Sequence, residues 1–304
     1  MKLSGYAIAG LFLIAVMVAA LLLPSQSLRN EPADDSGIRI VSLNPNITEI
    51  LFALGVGDSI VGATDFCDYP PEAKAIPRIG GMGKPNIETI LVMQPDLILG
   101  SNLQAYDATK KLQESGIALR QFKMERLEDV FSAIEAIGKE IGAETRAAEL
   151  TAEMRANLEA LAARYRDIPE SERPRVFLEI GDSPLGTVGR TSFLNDVIEC
   201  AGGVNVAGEL EESYPRISAE AVIAWNPDVI VLGYMSESNL AAEQISRRIG
   251  WSEIAAVKNG RIIADISPDL LLRPGPRLVD GIAQLSQVLY PELQPGELKD
   301  KDKE

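Results

Sequence analysis

An α/β fold of two similar lobes joined by a helical strut is what this sequence predicts, on three observations. Short apolar strands alternate with helices along most of the chain, the pattern of a mostly parallel sheet. A fourteen-residue motif occurs once in each half, at a constant offset of 132 residues. Between the two copies, Leu127 to about Arg166 is one stretch rich in the helix formers Ala, Glu, Leu and Arg, closed by Pro169 and Pro174.

Taken in order, Ile38–Leu43 is β-branched and apolar between Gly37 and Asn44, so it predicts a short buried strand. Asn46 with Glu49 three residues later matches a capping pair, and Ile47, Ile50, Leu51 and Leu54 follow at helical spacing. Strands over 59–64, 97–99 and 118–122 then alternate with helices over 87–93 and 105–115. After the strut, strands over 175–180, 229–232 and 261–265 accompany helices over 193–201, 219–224 and 276–290. The chain thus divides into a lobe over 38–126, a bridge over 127–168 and a lobe over 174–292. A charged tail, 293–304, follows.

The repeat lays Asn86–Leu99 on Ser218–Val231, with Glu88 on Glu220, Pro95 on Pro227 and Asp96 on Asp228. In each copy a polar cap opens a short helix, proline ends it, and an apolar strand starts after aspartate. Two copies in register, one on either side of a strut, point to two like lobes. A cleft between lobes is a natural small-molecule site.

Composition narrows the function. The 304 residues carry 29 Lys+Arg against 44 Asp+Glu, a net charge of −15, which argues against a nucleic-acid partner. The absence of histidine excludes Ser-His-Asp and Cys-His catalysis and imidazole-ligated zinc. At the N-terminus, Met1-Lys2-Leu3 precedes an 18-residue apolar run, Tyr6–Leu23, and a polar exit through 28–37. Residues 1–27 therefore predict either a cleaved signal peptide or an N-terminal membrane anchor, with 28–37 a linker and the working part extracytoplasmic. No cysteine lies near the end of the run, so a lipoprotein anchor is not expected. Cys67 and Cys200 fall in different lobes and are expected as two separate thiols.

No catalytic signature is present. The first strand lacks Gly-x-Gly-x-x-Gly, there is no phosphate-binding Gly-x-x-x-x-Gly-Lys-Ser/Thr, and no Gly-x-Ser-x-Gly nucleophile turn. An extracytoplasmic hydrolase using a carboxylate pair and a structural or adhesion module are thus the weaker alternatives.

Several segments carry a resemblance: 40–50 (Ile-Val-Ser-Leu-Asn-Pro-Asn-Ile-Thr-Glu-Ile), 61–73 with Asp68-Tyr69-Pro70-Pro71, 86–90, 95–99, 193–203, 218–222 and Arg273-Pro-Gly-Pro-Arg277. Together they resemble the substrate-binding proteins of cobalamin and iron-siderophore ABC importers, most closely the cobalamin-binding branch. The resemblance implies two Rossmann-like lobes bridged by one long α-helix, with the ligand cleft between the lobes and no cofactor of the protein's own. It implies a monomeric receptor that delivers cobalamin, or alternatively a ferric siderophore or haem, to a permease dimer with its ATPase. In this family two glutamates dock the lobes onto the permease subunits, and Glu88 and Glu220 match them.

Ligand residues are expected on loops after strand C-terminal ends. In the first lobe these are Asn44, Phe66, Tyr69, Met82, Lys84 and Asn102. In the second they are Leu185, Arg190, Tyr214, Tyr234 and Arg273. Phe66, Tyr69 and Tyr214 are the rings able to lie flat on a corrin or porphyrin. Arg190, Arg273 and Arg277 are the cations nearest the expected cleft, where they either meet ligand oxygens or support the final loop and helix. Trp225 lies just before Pro227 and is expected in the core.

Overall fold

The computed structural model describes residues 37–101, 106–234 and 238–292. The apolar segment 6–23, the linker 28–36, Asn102 and the tail 293–304 lie outside the described residues. Among those described, no helix is long and apolar enough to cross a membrane.

In the first lobe, strand β1 (Ile40–Ser42) leads into helix α1 (Pro45–Ala53), then strand β2 (Ile60–Ala63) and a hairpin of β3 (Gly80–Gly81) and β4 (Lys84–Pro85). Helix α2 (Ile87–Val92), strand β5 (Leu97–Ser101), helix α3 (Tyr106–Glu114) and strand β6 (Ala118–Phe122) complete it. Helices α4 (Leu127–Ile141) and α5 (Glu144–Ala162) form the bridge. The second lobe holds β7 (Arg175–Glu179), the hairpin β8 (Gly181–Asp182) and β9 (Leu185–Gly186), helix α6 (Phe193–Cys200), β10 (Val204–Asn205) and α7 (Ala219–Trp225). It continues with β11 (Val229–Leu232), α8 (Ser238–Ser246), α9 (Ala255–Lys258), β12 (Ile262–Ile263), α10 (Pro268–Leu272) and α11 (Leu278–Leu289).

Two four-stranded parallel sheets result, ordered β2-β1-β5-β6 and β10-β7-β11-β12. The orders superimpose strand for strand, so the repeat in the sequence is a repeat of sheets. Its chemistry is visible in both copies. The Asn86 and Ser218 side chains each accept a bond from the backbone N–H three residues on, at 3.1 and 3.3 Å. Gln94 and Asn226 hold φ of 46° and 45°, ending each helix in the left-handed region just before its proline. Asp96 accepts the Arg39 N–H at 2.9 Å, and Asp228 accepts the Arg175 N–H at 2.9 Å. Each aspartate thereby ties the entry of β5 or β11 to the strand beside it.

The bridge differs from the expectation of one uninterrupted helical stretch. Gly142 adopts φ 72°, which ends α4 and turns the chain back on itself. Both helices reach across: the start of α4 is tied to lobe two, where the Leu127 N–H donates to Asp196 at 2.8 Å, and the start of α5 reaches lobe one through Arg146, which donates to Ala53 O at 3.1 Å. Beyond its end, Tyr165 stacks on Tyr290 of lobe two, with centroids 5.8 Å apart. Nineteen residues span about 28 Å at 1.5 Å per residue. Helix α4 packs along it at a close approach, where a Cβ on Gly138 would stand 2.5 Å from the Ala147 methyl.

A second correction concerns α1. Pro45 occupies its first turn, so Asn44 is the N-cap residue, without a side-chain cap bond. Asn46 and Glu49 are therefore inside the helix, buried, and committed to distant partners. Helices α8, α9 and α10 and both hairpins are elements the sequence did not announce.

Trp251 is fully buried, edge-on to Phe177 with centroids 6.2 Å apart, whereas Trp225 is only half-buried. Both cysteines are free thiols. Cys67 is buried beside the Thr64 hydroxyl at 3.2 Å. Burial, with Asp196 and Glu199 adding to it, pushes the Cys200 thiol up to about 11. We expect Cys67 to resist iodoacetamide at pH 8 until the chain unfolds, Cys200 to react slowly because it is partly buried and its thiol stays protonated, and a reductant to leave the melting temperature unchanged. Fast labelling of folded protein would contradict this burial.

A candidate ligand cleft between the lobes

In parallel sheets the strand C-terminal ends leave a crevice for ligands. Here the crevices of the two lobes share one cleft of about 570 Å³. Lobe one contributes Asn44 and Pro45 after β1, Ser101 at the end of β5, Met124 after β6, and Phe66 and Met82 from loops. Lobe two contributes Thr191, Ser192 and Phe193 at the start of α6, the Ser213–Tyr214 loop, and α10 with the loop after it, through Pro274.

The floor is fixed by hydrogen bonds. Asn44 Oδ1 accepts the Ser101 N–H at 2.8 Å, joining the ends of β1 and β5. Asn46 donates across the lobes to the Pro274 carbonyl at 3.2 Å. The backbone of Gly275 passes so near Asn46 that an added Cβ would meet its Cβ at 3.6 Å.

Behind the floor lies a cluster of two arginines and three carboxylates. Glu49, 2% exposed, receives both Arg277 nitrogens at 2.8 and 2.6 Å and Arg273 at 3.3 Å. Arg273 also pairs with Asp68 at 2.7 Å and Asp269 at 2.8 Å. The Arg277 guanidinium lies 3.6 Å from the centre of the Tyr69 ring. Glu49 raises the Arg277 pKa; for Asp68 burial is the largest single effect and pushes upward, but the Arg273 hydrogen bond and charge, its own backbone hydrogen bond and the Lys74 charge together bring it below its ordinary 3.8. Glu49 and Asp68 belong to lobe one and the arginines to lobe two, so the cluster joins the lobes.

Of the eleven expected ligand residues, Asn44, Phe66, Met82, Tyr214 and Arg273 line this cleft. Asn102 lies outside the described residues. Five others do not line it. Tyr69 turns to Arg277; Lys84 is exposed on the β3–β4 hairpin; Leu185 packs with the core around Trp251; Arg190 pairs with Glu211 at the surface. Tyr234 donates to Glu179 at 3.0 Å, and Glu179 is fully buried and held at 2.6 and 2.7 Å by Arg248. That hydrogen bond takes the ring into the second lobe's interior. The cleft adds Met124, Phe193, Pro268 and Pro274, which the strand-end rule did not single out. Met124 follows the end of β6 by two residues, so the strand-end rule extended to the sixth strand would have found it.

Glu88 and Glu220 sit in the first turns of α2 and α7, both exposed, at equivalent places in the two lobes.

Two like α/β lobes joined by a helical bridge, with a largely apolar cleft between them, define the class of solute-binding proteins. Residues 40–268 match the family model described as Periplasmic binding protein, and the chain belongs to that family. It is 35% identical over 259 residues to the ABC transporter substrate-binding lipoprotein YvrC of Bacillus subtilis, covering 84% of this chain and 80% of that one. Among solved structures it is similar to the periplasmic vitamin B12 binding protein BtuF of Vibrio cholerae (TM-score 0.71, 29% identity, 84% of this chain and 98% of that one). It is as similar to the periplasmic heme-binding protein RhuT of Roseiflexus (TM-score 0.73, 30% identity, 85% and 100%). The chain is thus an ABC-type substrate-binding protein, and its relatives are transport receptors rather than enzymes.

Proposed function

We propose that the protein captures a large, mostly neutral chelate of the cobalamin type outside the cytoplasm and delivers it to a permease dimer powered by an ATPase. The observation that carries this is the cleft lining. Phe66, Met82, Met124, Phe193, Tyr214 and Leu272 offer apolar and aromatic surface. Arg273 is the one cation among the described lining residues, and three carboxylates already engage it. A corrin fringed with amides is bound by apolar burial and neutral hydrogen bonds. A ferric siderophore or the propionates of haem would call for unspent guanidinium groups.

Titration calorimetry with cyanocobalamin, ferric siderophores and haem tests the reading. Tight binding of cyanocobalamin alone is expected, and preference for haem would overturn it. Tyr214, about half exposed at the mouth, should contribute as a ring laid on the ligand. Tyr214→Ala is expected to weaken cyanocobalamin binding by about 1–3 kcal/mol with an unchanged melting temperature. Wild-type affinity in this variant would move the ligand off that ring.

A further inference from the structure

We infer that Glu49 sets the charge selectivity of the cleft: by neutralising Arg273 and Arg277 from behind, it makes the site prefer a neutral chelate over an anionic one of the same shape. The inference rests on the proposed reading that the cleft holds a large chelate, and it adds the residue that decides which kind.

Four observations support it. Arg273 forms part of the cleft wall, yet its side chain is only 15% exposed and contacts carboxylates on three sides. Arg277 is spent on Glu49 through two hydrogen bonds and on the Tyr69 ring. Glu49 is the member both arginines share, and the most deeply buried, so its charge is the least screened by solvent. Taken together, two arginines face three carboxylates, leaving one net negative charge behind the apolar wall. An anionic ligand entering such a site meets no free guanidinium and loses its hydration without a partner. Without the Glu49 charge, two arginines would face two carboxylates, the net negative charge behind the wall would vanish, and Arg277 would lose the carboxylate that engages it, so a ligand carboxylate or catecholate would no longer be opposed. Glu49 stands behind the cleft lining and not in it; it is a positioning and charge-setting residue.

The test uses a matched pair of probes, cyanocobalamin and its monocarboxylate derivative, in which one peripheral amide has become an acid. Wild-type protein should bind the amide form about tenfold more tightly. Glu49→Gln should abolish or invert that ratio while changing affinity for the neutral probe by less than the ratio shifts. Should Glu49→Gln not fold, Asp269→Asn, whose carboxylate is partly exposed on the same Arg273, should move the ratio the same way by a smaller factor. Glu140→Gln, which breaks a surface pair with Arg120, should leave it alone. An unmoved ratio in folded variants of a wild type that binds cyanocobalamin would overturn this inference and leave the cobalamin reading standing. A wild type that ignores both corrinoids and takes haem would instead overturn the cobalamin reading. Haem, with its two propionates, then carries the charge test: Glu49→Gln should tighten it about tenfold, and no change would overturn the inference as well.

Discussion

Replacing Glu88 and Glu220 together by alanine is expected to abolish uptake through the cognate permease while ligand affinity and melting temperature stay within about 1 kcal/mol of wild type. Each carboxylate is exposed in the first turn of a helix that occupies the same place in its lobe. A partner with twofold symmetry needs one such anchor per lobe. Charge pairs at an interface rim mainly set orientation and association rate, so the loss should appear in transport and not in binding. Glu220 also accepts bonds from its own backbone and from Ser218, which lower its pKa and keep it ionised over the whole physiological range. Normal uptake by the double variant would leave both residues the ordinary role of acids near a helix N-terminus.

Glu179→Ala should destabilise the fold by about 2–4 kcal/mol, below the roughly 3–5 kcal/mol of a fully buried pair because the Arg248 cation left unpaired is only partly buried. The carboxylate is fully buried at the end of β7 and satisfies the Arg248 fork and the Tyr234 hydroxyl together. Arg248 in turn lies 4.6 Å from the centre of the Trp251 ring, so the pair is built into the second lobe's core. The double variant Glu179→Leu with Arg248→Met removes both charges and should recover much of the loss. Urea denaturation of the three proteins measures this. A mild single variant with an equally mild double would show that solvent reaches the pair.

The repeat was legible in the sequence because its signals are backbone signals. Proline after a left-handed residue stops a helix wherever it stands, and the aspartate that follows bonds to the next strand in both lobes. Contacts between distant segments were not legible. Asn46 and Glu49 fit a capping pair by spacing, but Pro45 moves the helix start back, and their partners stand 228 and 224–228 residues away. Tyr234 and Leu185 lie after strands, as cleft residues should. Neither side chain follows the rule, because Tyr234 bonds to buried Glu179 and Leu185 packs with the core around Trp251. Gly142 was visible as a glycine, but a turn between two helices and a tolerated glycine within one leave the same mark in a helix-rich stretch.

The doubled bridge decides how the two lobes can move. A single connecting rod bends about any axis, whereas two rods in contact resist bending in their common plane unless one slides along the other. The seam at Gly138 and Ala147 and the Arg155 guanidinium 4.2 Å from the Phe131 ring centre oppose such sliding. A twist about the length of the pair needs no such sliding, and strains instead the Glu49–Arg277 and Asp68–Arg273 pairs that join the lobes. Twisting changes the angle between the mouth loops while keeping the distance between the lobes, so cargo would enter and leave by rotation of the rim and not by a gaping jaw.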